Sequence, residues 1–160
     1  MTVLEVTTAD EMRRLGVSLA RQLKHGDVIV LTGSLGAGKT TFVQGLGMEL
    51  GVKGVITSPT FVVAREYKQS SSGLGLIHVD AYRLRDADDL VDLDLDADWP
   101  HVTVIEWGAP FVQHVTDSWL SISIERTSDD DETAPENGIR TVSFASNGPQ
   151  WQERTLEVSL

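Results

Sequence analysis

The chain contains no cysteine. That excludes disulfides, thiolate metal sites and thiol nucleophiles, and it fits a reducing cytoplasm. Positive charge is scarce: 13 Lys and Arg stand against 24 Asp and Glu, for a formal net charge of −11. A surface this acidic repels phosphate backbones, so autonomous nucleic-acid binding is not expected. No run approaches the roughly 20 apolar residues of a membrane span. The opening "MTVLEVTTAD" has neither a basic stretch nor an apolar one, so no secretory signal is read there. No internal repeat and no domain boundary is visible. What is left is 160 residues with an ordinary apolar share of 41 %. That suffices for one cored domain, residues 1–160, and is too short for two.

Periodicity suggests the elements. "TVLEV" reads as a first strand. A helix follows, with Thr8 as its cap, Glu11 completing a capping box, and Met12, Leu15, Leu19 and Leu23 at helical spacing. Gly26 ends it. Residues 27–31, "DVIVL", form an apolar run suited to a strand buried on both faces. A helix is expected over 39–50. Strands are expected at 61–67, 76–80, 102–106, 119–125 and 139–144, and short helices near 87–91, 110–114 and after Pro149. Strands alternate with helices early and follow one another late. The expected fold is therefore α/β: a P-loop NTPase-like three-layer sandwich whose mixed sheet is parallel at its centre with antiparallel additions. Residues 127–138, "TSDDDETAPENG", are expected to be a mobile acidic loop.

The most specific feature is "GSLGAGKTTF". Its first eight residues match G-x-x-x-x-G-K-[ST], between a buried strand and a helix. Gly33, Gly36 and Gly38 let the backbone curl so that several N–H groups face a phosphate. The helix start adds partial positive charge. Lys39 supplies a point charge, and Thr40 offers magnesium a hard oxygen. Gly33, Ser34, Leu35, Gly36, Ala37, Gly38, Lys39, Thr40 and Thr41 make up the candidate nucleotide loop. ATP or ADP with Mg²⁺ is the expected cofactor, since no N-K-x-D sequence is present to read guanine.

Such a loop needs a carboxylate at a neighbouring strand end to hold the metal or its water. "GLIHVD" ends in Asp80 and "HVTVIE" in Glu106, so both acids are candidates at the sheet's carboxyl edge. In "TSPTF", Thr60 is placed to act as a switch threonine behind the stiff Pro59. Trp107 follows Glu106, to exclude water, contact a partner or pack under a loop. Arg83 is a candidate for phosphate or for an ion pair with an Asp. "DADDLVDLDLDAD" fails as a calcium loop, with Ala97 and Thr103 where Gly and Glu are needed. His25, His78, His101 and His114 show no metal-ligand pairing and read as structural or exposed.

Taken in order, "GSLGAGKTTF", "TSPTF", "HVDAYRL" and "VIEWG" resemble the TsaE (YjeE) family of P-loop ATPases, over roughly residues 7–108. The resemblance implies Mg²⁺-dependent ATP hydrolysis in support of the TsaD and TsaB proteins. That pair moves a threonylcarbamoyl group onto N6 of adenosine 37 in tRNAs reading ANN codons, so tRNA would be met only through the complex. It implies catalytic roles for Lys39, Thr60, Asp80, Glu106 and Trp107, metal ligation by Thr40, Glu106 and Asp80, and base contacts from Thr8, Ala9 and Arg140. One departure stands out. Ser34 occupies a position where the family often has an acid, which puts the hydrolysis rate in question. Two other readings remain open: a non-catalytic, nucleotide-gated binding subunit, and a small-molecule kinase.

Overall fold

A computed structural model describes residues 2–70, 73–93, 95–126 and 138–160. The expected acidic loop therefore lies, but for Gly138, outside the described residues. The elements run β1 (Thr2–Val6), α1 (Ala9–Ala20), β2 (Val28–Gly33), α2 (Lys39–Leu50), β3 (Ala64–Tyr67), β4 (Gly75–Asp80), α3 (Ala87–Val91), β5 (His101–Glu106), β6 (Trp119–Arg126), β7 (Arg140–Asn147) and α4 (Pro149–Gln152). All seven strands form one sheet in the order β1-β7-β6-β2-β5-β4-β3. The central β6, β2, β5 and β4 run parallel. β3 pairs antiparallel with β4, as do β7 with β6 and β1 with β7.

Alternation along the strands assigns the layers. Leu76, Val102 and Val104 pack with Leu15, Leu19, Phe42 and Leu46 of α1 and α2. The intervening Ile77, Val79 and Ile105 pack instead with Leu90 of α3 and with Phe111. Side chains two apart share a face, so α1 and α2 cover one side and α3 the other. The expected three-layer sandwich is thus present. On the same parity, His78, Asp80 and Glu106 stand on the α2 side of the sheet.

α1 and α2 approach closely because both carry mid-helix glycine. A Cβ at Gly16 would lie 2.2 Å from the Phe42 carbonyl oxygen, and one at Gly45 would lie 2.1 Å from that of Arg13. The capping box forms as read: the Glu11 amide donates to Thr8 Oγ1 at 3.1 Å, and the Thr8 amide to Glu11 Oε2 at 3.2 Å.

Some boundaries differ from expectation. β2 starts one residue late, since the Asp27 carboxylate accepts the Lys24 amide at 2.8 Å. It then continues to Gly33, where β6 still pairs. Residues 61–63 are not strand. The Pro59 carbonyl accepts the amides of Val62 and Val63 and folds them into a turn. Val63 sits there at φ 69°, a left-handed conformation that sterics disfavour for a β-branched residue. Its carbonyl accepts the Asp80 amide at 2.8 Å, so this turn is tied to the end of β4.

Candidate functional site

The loop after β2 is shaped by glycine where glycine is required. A Cβ at Gly33 would lie 2.6 Å from the Ile124 carbonyl oxygen of the adjoining strand. Gly36 and Gly38 have φ of 75° and 113°, open to glycine at little cost. Gly38 caps α2 without a side-chain hydrogen bond, which leaves the first amides of that helix for an anion.

Lys39 opens α2 and turns back into the loop. Its Nζ donates to the carbonyls of Gly33 at 2.7 Å and Ser34 at 3.1 Å. It lies 3.9 Å from Glu106 Oε2 and 5.1 Å from the centroid of the Trp107 ring. Glu106 and Asp80 end neighbouring parallel strands as register partners, and both are buried. Asp80 is bonded through both oxygens. Thr60 Oγ1 donates to Oδ2 at 2.8 Å, and the Tyr82 amide to Oδ1 at 2.9 Å. Ser58 Oγ lies 2.7 Å from Thr60 Oγ1. Trp107, at φ 60°, donates its amide to the Leu31 carbonyl at 3.1 Å and meets Tyr82 ring to ring at 5.6 Å.

These groups surround a cavity of about 610 Å³ that Lys39, Thr40, Thr60, Asp80, Glu106 and Trp107 help to line. A second cavity of about 130 Å³ lies across Gly36, Gly38 and Thr41 and brings in Thr8, Ala9, Ala37 and Arg140. The loop thus has one chamber on its carboxylate side and another on its α1 side. Arg140 Nε donates to the Ala37 carbonyl at 3.4 Å, and an amino group of the same guanidinium donates to the Gly138 carbonyl. Burial, with the like charge of Arg126, lowers the affinity of Arg140 for its proton from the usual arginine value.

Most of the predicted residues come together around these chambers. Leu35 lines the larger one with its side chain almost fully exposed. Gly33 and Ser34 line neither and meet Lys39 through their carbonyls. Arg83 stands apart, its guanidinium 5.2 Å from the exposed Phe61 ring. Among the described residues no Asp pairs with it, so the ion pair considered for Arg83 is not formed, and it lines neither chamber. For His78 the structure selects the first of the two expectations, structural rather than exposed. His78 is buried directly behind Glu106, with Nε2 2.8 Å from Oε1.

The chain as a whole matches a known family. The family model described as "Threonylcarbamoyl adenosine biosynthesis protein TsaE" matches residues 6–134, which span both chambers except Arg140. The chain belongs to the TsaE family of threonylcarbamoyladenosine biosynthesis proteins. It is 46 % identical to the TsaE protein of Streptomyces coelicolor over 151 residues, covering 93 % of this chain and 98 % of that one. The Bacillus subtilis TsaE protein is 32 % identical over 150 residues, covering 94 % and 89 %. The crystal structure of Bacillus subtilis YdiB superposes with a TM-score of 0.70 at 28 % identity, covering 94 % of this chain and 88 % of that one.

The donors also suit the metal implied for a TsaE-type P-loop site. Thr40, Asp80 and Glu106 offer hard oxygens in one chamber. Among the described residues no cluster of three or more His, Cys, Asp or Glu could hold a metal alone. Magnesium is commonly bound in this way, by one or two carboxylates completed by substrate phosphates and water.

Proposed function

We propose that this chain binds ATP with Mg²⁺ and hydrolyses it, as an accessory to a TsaD–TsaB pair that modifies adenosine 37 of tRNA in the cytoplasm. The observation that carries the proposal is the convergence of Lys39, Thr40, Asp80 and Glu106 on one chamber, beside a loop whose backbone is curled for phosphate. Family membership supplies the pathway. The acidic surface agrees with a protein that meets tRNA only through its partners.

Each residue then has a task. The loop amides from Leu35 to Thr41 bind the phosphate oxygens, and Lys39 neutralises the β- and γ-phosphates. Thr8, Ala9 and Arg140 border the smaller chamber and take the nucleoside side. The Thr60–Asp80 pair orients the water that adds to the γ-phosphorus as ADP departs. Trp107 and Tyr82 wall the chamber against bulk water. Bound Mg²⁺ would be held by Thr40 and Glu106, with Asp80 on its water, and would supply charge stabilisation at the phosphoryl oxygens.

The kinase reading loses support from the arginines. Arg154 is committed to Asp27 at 2.8 and 2.9 Å, and Arg140 borders the smaller chamber. The non-catalytic reading keeps one observation in its favour, the exposed Ser34 at the position where an acid often stands. The deciding experiment is ATP turnover by the purified chain with Mg²⁺, alone and with the TsaB–TsaD pair. Slow turnover that accelerates with the pair supports the proposal. ATP binding without turnover in both conditions refutes hydrolysis and leaves a nucleotide-gated scaffold.

A further inference from the structure

His78 is fully buried, yet one of its two ring nitrogens has no hydrogen-bond partner among the described residues. Nε2 lies 2.8 Å from Glu106 Oε1, while Nδ1 is buried without a hydrogen bond. An ionised Glu106 can only accept, and in that pairing Nε2 carries the proton and donates. This geometry has a direction. It clamps Oε1 of Glu106 from below and leaves Oε2 facing Lys39 across 3.9 Å. A glutamate has three rotatable bonds, and nothing else among the described residues bonds Oε1.

We infer that His78 is a positioning residue: its Nε2–H fixes the Glu106 carboxylate so that Oε2 is presented to the metal of the nucleotide site. The inference rests on the proposed Mg²⁺-nucleotide reading. Sequence spacing supports it structurally. His78 and Asp80 lie two apart on β4 and so share a face, and β5 beside it places Glu106 opposite Asp80. One strand thereby contributes both an acid for the chamber and the donor behind the neighbouring acid. Partners that orient a metal's ligands commonly change metal affinity by about 10- to 100-fold when removed.

Three variants separate this role from mere core filling. His78→Gln places an amide N–H near the position of Nε2. His78→Asn places it near that of Nδ1. His78→Leu fills the space with no donor. ATP binding is measured by calorimetry in EDTA and across a Mg²⁺ titration, and folding is checked by thermal unfolding in EDTA. His78→Leu and His78→Asn are expected to need about 10- to 100-fold more Mg²⁺ for the same enhancement of binding, with affinity in EDTA unchanged. His78→Gln is expected to stay within about threefold of the parent. A parental Mg²⁺ dependence in His78→Leu overturns the inference, and so does equal loss in His78→Gln and His78→Leu. A parent that does not bind ATP overturns the nucleotide reading itself, which is a separate result. Nitrogen NMR of the unmodified chain tests the tautomer without any variant. A protonated Nε2 is expected, and a proton on Nδ1 with none on Nε2 refutes the clamp.

Discussion

Gly45→Ala probes how the two helices set the nucleotide loop. The new Cβ would lie 2.1 Å from the Arg13 carbonyl oxygen, 2.7 Å from its carbon and 2.8 Å from its Cα. All three atoms are backbone, so no side chain can rotate away. α1 and α2 must separate by about an ångström for ordinary contact to return. The separation opens a seam in which Leu15, Leu19, Phe42 and Leu46 are fully buried. Overpacking of this kind costs up to about 3 kcal/mol, and alanine's better helix propensity returns about 1 kcal/mol. The net is about 2 kcal/mol, a fall of about 4–8 °C in Tm for a chain of this size. The same movement draws Thr8 and Ala9 away from Gly38 and Thr41, so ADP affinity falls as well. Differential scanning calorimetry and ADP titration read both effects. An unchanged or raised Tm would mean that propensity outweighs the clash and that the helices are not held in contact.

Lys39→Ala is expected to weaken ATP binding by about 100-fold, about 2.7 kcal/mol, in an equilibrium titration; parental affinity would show that the lysine does not reach phosphate. Glu106→Ala is expected to weaken Mg²⁺-dependent turnover while binding in EDTA persists, and turnover at the parent rate would remove it from the metal site. Thr60→Val removes the hydroxyl that donates to Asp80 at 2.8 Å; steady-state kinetics are expected to show a lower kcat with little change in KM. Glu11 is held below its ordinary value of 4.5, first by the Thr7 hydroxyl and then by the Thr7 amide. Its stabilising contribution is therefore complete above pH 4.5 and lost as pH falls through the lower folded-state value. Glu11→Gln is expected to melt below the parent at pH 7 and to converge with it in strong acid, as followed by thermal unfolding across pH.

What was legible in the sequence was what is local. The loop could be read because three glycines, a lysine and a threonine act within eight residues. The start of α1 could be read because Thr8 and Glu11 cap it within one turn; its end could not, since the helix stops at Ala20 rather than at Gly26. The sheet order could not be. β6 lies beside β2 across about 85 intervening residues, and β1 closes on β7 near the other end of the chain. The start of β3 misled because Phe61, Val62 and Val63 have strand-like side chains, while the Pro59 carbonyl decides their backbone. Gly16 and Gly45 look like weak points in helices until the other helix is present to touch them. His78 escaped for a similar reason. Its partner is 28 residues away, and only the parallel register of β4 and β5 brings the two together.

The charges of the chamber make physical sense only as a set. Two buried carboxylates on a chain of net charge −11 repel a polyphosphate. The loop amides, the start of α2 and Lys39 offset part of that repulsion. Asp80 is served by hydrogen bonds: the Thr60 hydroxyl donates to one oxygen and the Tyr82 amide to the other. Glu106 differs, because His78 satisfies one oxygen and leaves the other facing the cavity. Among the described residues the second Glu106 oxygen has only Lys39 near it, at 3.9 Å, so of the two acids it is the one with room for the proposed cation. That asymmetry also separates the two acids by task. Glu106 is the stronger candidate for direct metal contact, and Asp80, already locked to Thr60, is better suited to hold water.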